Sequence, residues 1–152
     1  MLDPSSPGVQ DTLVCVSCYN DFESLAHKPR GTPAKRSLYC YHLDIHDGSL
    51  TLLSVDAQSK NPAFSRYNSK TKTLYTCTEY LEKDGELYSY RMDPETGGLT
   101  LLSKQSAKGM SRSKTKPKTR SLITHSQNKT GTSTCYITLD KAKKNMILVN
   151  YW

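Results

Sequence analysis

The chain is short of the features that would send it into a membrane, along a secretory route or toward a metal. Its 152 residues hold no run of about 18 apolar side chains, the length a spanning helix needs. With a mean hydropathy of −0.63, a membrane is not an expected partner. The opening MLDPSSPGVQD has neither a basic start nor an apolar stretch, so no secretory leader is visible and a cytoplasmic location is the expectation. Phe (two) and Trp (one) are scarce against ten Tyr, a balance that leans toward strands. The four histidines, His27, His42, His46 and His125, are scattered, and neither a metal nor any other cofactor is expected.

Cysteine is present, but not in a pattern that organises a fold. Cys15, Cys18, Cys40, Cys77 and Cys135 are odd in number and widely spaced, which fits free thiols in a reducing compartment. Cys15 and Cys18 form C-x-x-C, yet TLVCVSCY reads as a strand, where positions three apart point to opposite faces. No second pair with zinc-finger spacing follows.

The formal charge of +7 resembles a nucleic-acid footprint until it is located. Eight basic residues, Lys104, Lys108, Arg112, Lys114, Lys116, Lys118, Arg120 and Lys129, fall in one segment, leaving 13 basic residues against 14 acidic ones elsewhere. All but Lys104 lie in 105–130, which is rich in Ser, Thr, Lys and Arg with almost no apolar residues and reads as a disordered insert, as do residues 1–10 at the start. A solvated loop explains the insert better than nucleic-acid binding, so nucleic acid is not an expected partner.

What is there is a repeat. LYCYHLDIHDGSLTLLS, Leu38 to Ser54, returns 49 residues later as LYSYRMDPETGGLTLLS, Leu87 to Ser103, with ten of the positions identical. Each copy alternates, breaks at Asp and Gly, and resumes, which is a strand, a tight turn and a strand. Asp11 to Tyr19 and Met146 to Tyr151 are apolar on both faces and read as strands buried on both sides. Further strands open at Asn61-Pro62-Ala63-Phe64, at Leu74 and at Thr134. A strand-rich period near 50 residues belongs with propeller architectures. The expected fold is all-β: a partial β-propeller over 11–152, with about two to two and a half antiparallel four-stranded blades, open rather than closed. A β-sandwich is the alternative. Open blade edges also offer a route to association with other chains.

The order of these pieces resembles the lactonase family of seven-bladed propellers, whose members include 6-phosphogluconolactonase and carboxy-cis,cis-muconate cyclase. Tyr88 to Leu102 follows that family's hairpin signature, Asn61-Pro62-Ala63-Phe64 its inner-strand opening, and Leu74 to Glu79 the next strand. Leu148-Val149-Asn150-Tyr151 is similar to its V-A-N-Y ending, and Thr12 to Tyr19 to its first strand. The resemblance implies ring-ester hydrolysis of a small sugar lactone, of the 6-phosphogluconolactonase type, without a cofactor. One departure is that Thr134-Cys135-Tyr136 stands where the family has Pro-Cys-His. Tyr136 can donate a hydrogen bond but, with a phenol pKa near ~10, is a poor base at neutral pH. The chain by itself is therefore expected to be inactive, and a non-catalytic binding or interaction module is the alternative reading.

Hairpin geometry places the start of one strand beside the end of the next. This gathers Asn61 with Glu79 and Tyr80, and Cys135 and Tyr136 with Asn150 and Tyr151, while Asn20 ends the corresponding strand of the first unit. In a radial arrangement all of these face one mouth of a central channel. Glu79 is the candidate catalytic base and Tyr136 the catalytic donor; Asn20, Asn61, Asn150 and Tyr151 are the candidate substrate-binding residues. The bland alternative is that such strand-end groups satisfy turn backbones.

Overall fold

The computed structural model describes residues 12–25, 27, 29–107 and 133–150. They form nine strands: β1 (Thr12–Ser17), β2 (Leu38–Leu43), β3 (Leu50–Asp56), β4 (Pro62–Asn68), β5 (Thr73–Thr78), β6 (Glu86–Met92), β7 (Leu99–Ser106), β8 (Thr134–Leu139) and β9 (Met146–Asn150). The described residues include no helix, hence none long and apolar enough to cross a membrane. The expected tail at 1–10, the insert beyond residue 107, and Tyr151 lie outside the described residues.

Strand order gives three antiparallel sheets, β1-β2-β3, β4-β5-β6-β7 and β8-β9, and none of them closes. They are the blades of an open, partial propeller, with β4 and β8 adjacent and β1 packed against β4. Gln105 and Ser106, assigned to the insert by composition, are ladder residues of β7 opposite Leu87 and Glu86. The ladder needs only backbone groups, so polar side chains do not end it.

The sequence repeat is reproduced bond for bond. In the first blade Asp44 N–H donates to Ser49 O and Gly48 N–H to Asp44 O; in the second Asp93 N–H donates to Gly98 O and Gly97 N–H to Asp93 O. Asp44 Oδ1 accepts from His46 N–H and Asp93 Oδ1 from Glu95 N–H, which is the turn chemistry that selects Asp at this place. The last turn position needs φ of +78° at Gly48 and +65° at Gly97, a region open to glycine. Even the register shift recurs, between Cys40 and Tyr41 and between Ser89 and Tyr90.

Two apolar layers join the three blades. Leu38 and Cys15 of the first blade pack on Leu74, Tyr88 and Tyr90 of the second. On the other side of the second blade Cys77 and Leu87, with Phe64 and Tyr75, meet Ile137 and Met146 of the third. A fully buried side chain of this size contributes about 1.5–3 kcal/mol, so each layer outweighs any one surface contact. Polar ties add direction: Tyr90 Oη donates to Asp56 Oδ2 at 3.1 Å and Ser54 Oγ to Gly97 O at 2.6 Å.

The outward faces of the first and third blades differ from expectation. β1 is half-buried to exposed rather than enclosed, and β9 leaves Ile147 52% and Val149 42% exposed. Among the described residues β1 pairs only with β2, and β9 only with β8, so each is an edge of its described sheet. Cross-strand register sets Val16, Tyr39, Tyr41, Leu50, Leu52 and Val55 on one face of the first blade, and no described blade covers that face.

Candidate functional site

Chain segments that end β1, precede β4, follow β5 and precede β8 meet at one edge of the blades. Asn61 is the knot. It is fully buried, with φ +46°, a left-handed conformation that Asn tolerates better than most residues. Asn61 Oδ1 accepts from the N–H groups of Asn20 (3.0 Å) and Asp21 (2.8 Å). Its side-chain amide donates to Asp21 O (2.5 Å) and Ser24 Oγ (3.3 Å), and its backbone N–H donates to Asn20 Oδ1 (2.9 Å). Every polar group of the Asn61 side chain is thus committed to the loop after β1, so it positions that loop and has no hydrogen left for a ligand.

The loop so fixed brings Tyr19 to Glu79. Tyr19 Oη donates to Glu79 Oε2 at 2.7 Å, while Glu79 N–H donates to Asn61 O at 2.9 Å. Burial first, and then the bond and negative charge of Glu79, push the Tyr19 hydroxyl well above the ordinary phenol range. It therefore stays a donor at neutral pH. Cys77 and Cys135 lie close enough to add to that shift, and burial drives the Cys77 thiol up to about 12, leaving it an inert, protonated thiol. The ring of His27 meets that of Tyr19 edge-on at 5.8 Å.

The third blade joins the same edge through backbone. Ser133 N–H donates to Tyr80 O at 2.9 Å. Thr134 is fully buried against Gly85, where an added Cβ would lie 2.1 Å from its Oγ1, so only glycine permits that approach. Thr134 Oγ1 donates to Asn150 Oδ1 at 2.7 Å, and Asn150 Nδ2 donates to Ala107 O at 3.3 Å. Like Asn61, Asn150 spends its side chain on the fold.

Tyr136 forms a separate group. Its Oη accepts from Arg66 Nη2 at 3.0 Å, its ring lies 4.6 Å from that of Phe64, and the Arg66 guanidinium sits 5.5 Å above it. The Arg66 bond, with its positive charge in support, holds the Tyr136 hydroxyl below the ordinary phenol range. No hydrogen bond links Tyr136 to Glu79 among the described residues. The structure therefore gathers Asn20, Asn61 and Glu79 at one point, sets Tyr136 beside Arg66 and ties Asn150 to Thr134. Tyr19 and Arg66 were missed by sequence reasoning. Only the position of Tyr19, next to Asn20 at the end of a strand, could have suggested it. Among the described residues no three His, Cys, Asp or Glu side chains gather as a metal site.

Comparison with known proteins agrees with this architecture. A crystal structure of a Bacteroides fragilis protein assigned as a 6-phosphogluconolactonase superposes with a TM-score of 0.65 at 23% identity, over 98% of this chain and 32% of that one. At that identity the likeness speaks for the fold alone, and the chain spans about a third of the other's length. No curated protein matches. The sequence matches the family described as lactonase, 7-bladed beta-propeller, over residues 15–124, well over half its length, and with the repeated hairpins and open blades this establishes that the chain belongs to the lactonase family of seven-bladed β-propellers.

Proposed function

We propose that these blades carry part of a lactone hydrolase of the 6-phosphogluconolactonase type, acting on a sugar lactone in cytoplasmic carbohydrate metabolism within a ring completed by further blades. The observation that supports it best is the Tyr19–Glu79 pair, a carboxyl group and a protonated donor 2.7 Å apart at one edge of blades of the lactonase family. In this reading Glu79 removes a proton from water as it attacks the lactone carbonyl, and Tyr19 orients the carboxylate. The Asn20 side-chain amide is the donor toward the developing oxyanion, and as the ring C–O bond breaks the proton taken up by Glu79 passes to the departing oxygen, giving a hydroxy acid. Tyr136, set apart beside Arg66, belongs to the binding of the rest of the substrate. Arg66, held on Tyr136, adds a positive charge suited to an anionic sugar lactone. Asn61 and Asn150 act on this site through the loops they hold, and Tyr151 adjoins Asn150 in the chain.

A second reading is favoured by the uncovered faces: alone, the chain is a non-catalytic module that associates through its open blade edges. Leu50 and Leu52, each 52% exposed, and Val55 lie on such a face. Hydrolysis of 6-phosphogluconolactone by this chain, and by any longer product of the same locus, separates the two. Activity in the longer product, reduced about 100-fold or more by Glu79→Gln and about 10-fold by Tyr19→Phe, is the expected result. A longer product whose Glu79→Gln variant keeps full kcat would remove Glu79 from the chemistry.

A further inference from the structure

Cys15 and Cys40 face each other across the β1–β2 ladder, with their Sγ atoms 3.5 Å apart. Neither belongs to the hydrolytic group around Glu79. Residues directly opposite on antiparallel strands hold their Cβ atoms about 4.5–5.5 Å apart, and a disulfide needs about 3.5–4.5 Å, so a small local contraction closes the pair. Cys40 is fully buried against the turn at Gly97, whose added Cβ would lie 3.0 Å from the Cys40 Cβ. Cys15 is half-buried on an edge strand that pairs only with β2.

We propose that Cys15 and Cys40 form a redox-active dithiol that hydrogen peroxide closes to a disulfide, stapling the edge strand β1 to β2. The hydrogen bond between the sulfurs lets one ionise while the other keeps its proton: the Cys15 bond brings the Cys40 thiol down to about 7, whereas that bond and burial push Cys15 up. The Cys40 thiolate attacks one peroxide oxygen, the O–O bond breaks, and the departing hydroxide takes a proton to become water, leaving Cys40 as a sulfenic acid. Cys15 then gives up its proton and attacks the Cys40 sulfur. The S–O bond breaks, and a second water leaves with that proton. Two thiols lose two electrons and two protons, and one peroxide becomes two waters. The loop so closed runs from Cys15 to Cys40 and contains Tyr19, Asn20 and Asp21, so oxidation tethers the segment that holds Glu79.

Stoichiometric hydrogen peroxide on the full chain, followed by intact mass and peptide mapping, tests this. The expected result is the loss of two hydrogens, a link between the peptides carrying Cys15 and Cys40, and a Tm higher by about 5 °C that dithiothreitol reverses. The link persists in Cys18→Ser and is absent from Cys15→Ser. A link through Cys18, Cys77 or Cys135, oxidation that adds oxygen to Cys40 without a link, or an unchanged mass would each overturn the proposal. Because the wild-type chain carries the main readout, a variant that fails to fold leaves the test intact.

Discussion

The hairpins β2–β3 and β6–β7 share ten of 17 residues, the same turn hydrogen bonds and the same register shift, yet one is covered and the other is not. The tyrosine pairs make the contrast sharp. Tyr39 and Tyr41 stack at 6.4 Å and 17°, and Tyr88 and Tyr90 at 6.1 Å and 9°. The second pair is buried, at 3% and 0% exposure, whereas the first is only half-buried. The hairpin dictates its own shape; its burial comes from the blade in front of it. Blade one is the cover of blade two, and among the described residues nothing covers blade one.

The strongest break of this symmetry is the pair Tyr90→Ala and Tyr41→Ala, equivalent positions in the repeat. Tyr90 leaves a cavity in the layer shared with Leu38 and Leu74 and strips a donor from Asp56. Its loss should cost about 3–5 kcal/mol, against about 1 kcal/mol for Tyr41. Urea denaturation of both variants measures the difference. Equal costs would show that some other body covers the outer face of blade one in solution.

Gly97→Ala against Gly48→Ala tests the same contrast at the turns. Both glycines sit at positive φ, so each alanine carries a backbone cost of about 1–2 kcal/mol. At Gly48 the added Cβ meets nothing within 4 Å, while at Gly97 it lies 3.0 Å from Cys40 Cβ and 3.4 Å from Leu53. Gly97→Ala should therefore lose about 1–2 kcal/mol more than Gly48→Ala, the strain of overpacking the blade contact. Thermal unfolding of the two variants side by side reads it out, and identical Tm values would mean that the turn of blade two does not bear on blade one.

What could be read from the sequence follows the range of the forces involved. Asp44, Gly48, Asp93 and Gly97 dictate turns through bonds within five residues, so the hairpins, their faces and the propeller class were legible. The apolar runs of β1 and β9 were read as enclosed, because composition records which side chains can be covered and not whether a neighbour arrives. The site was legible in outline only. Glu79 could be placed at a strand end, but its partner Tyr19 is 60 residues away, and the pairing depends on how Asn61 folds the intervening loop. For the same reason Asn61 and Asn150 read as ligand-binding residues, although their side chains are occupied by Asp21, Ser24, Thr134 and Ala107. The Cys15–Cys40 contact depends on strand register between residues 25 apart, which no spacing rule supplies.

The smallest effect concerns the hydroxyls that blade one covers. Burial pushes Tyr90 and Tyr88 above the ordinary phenol range, Asp56 adding to the rise at Tyr90. The unfolded chain releases phenol protons near pH ~10, so above that value the folded chain holds protons that the unfolded one has lost. Stability is then complete below about pH 10 and falls as pH climbs through the folded-state values. Tyr90→Phe removes one of these groups together with its bond to Asp56. It should lower stability by about 1 kcal/mol at neutral pH and decline less steeply than wild type above pH 10, so that the two converge at the alkaline end. Urea midpoints taken at intervals from neutral pH to about 11 trace both curves. If they run parallel throughout, the proton on Tyr90 is not held by its burial under blade one, and the covered and uncovered tyrosine pairs differ in packing alone.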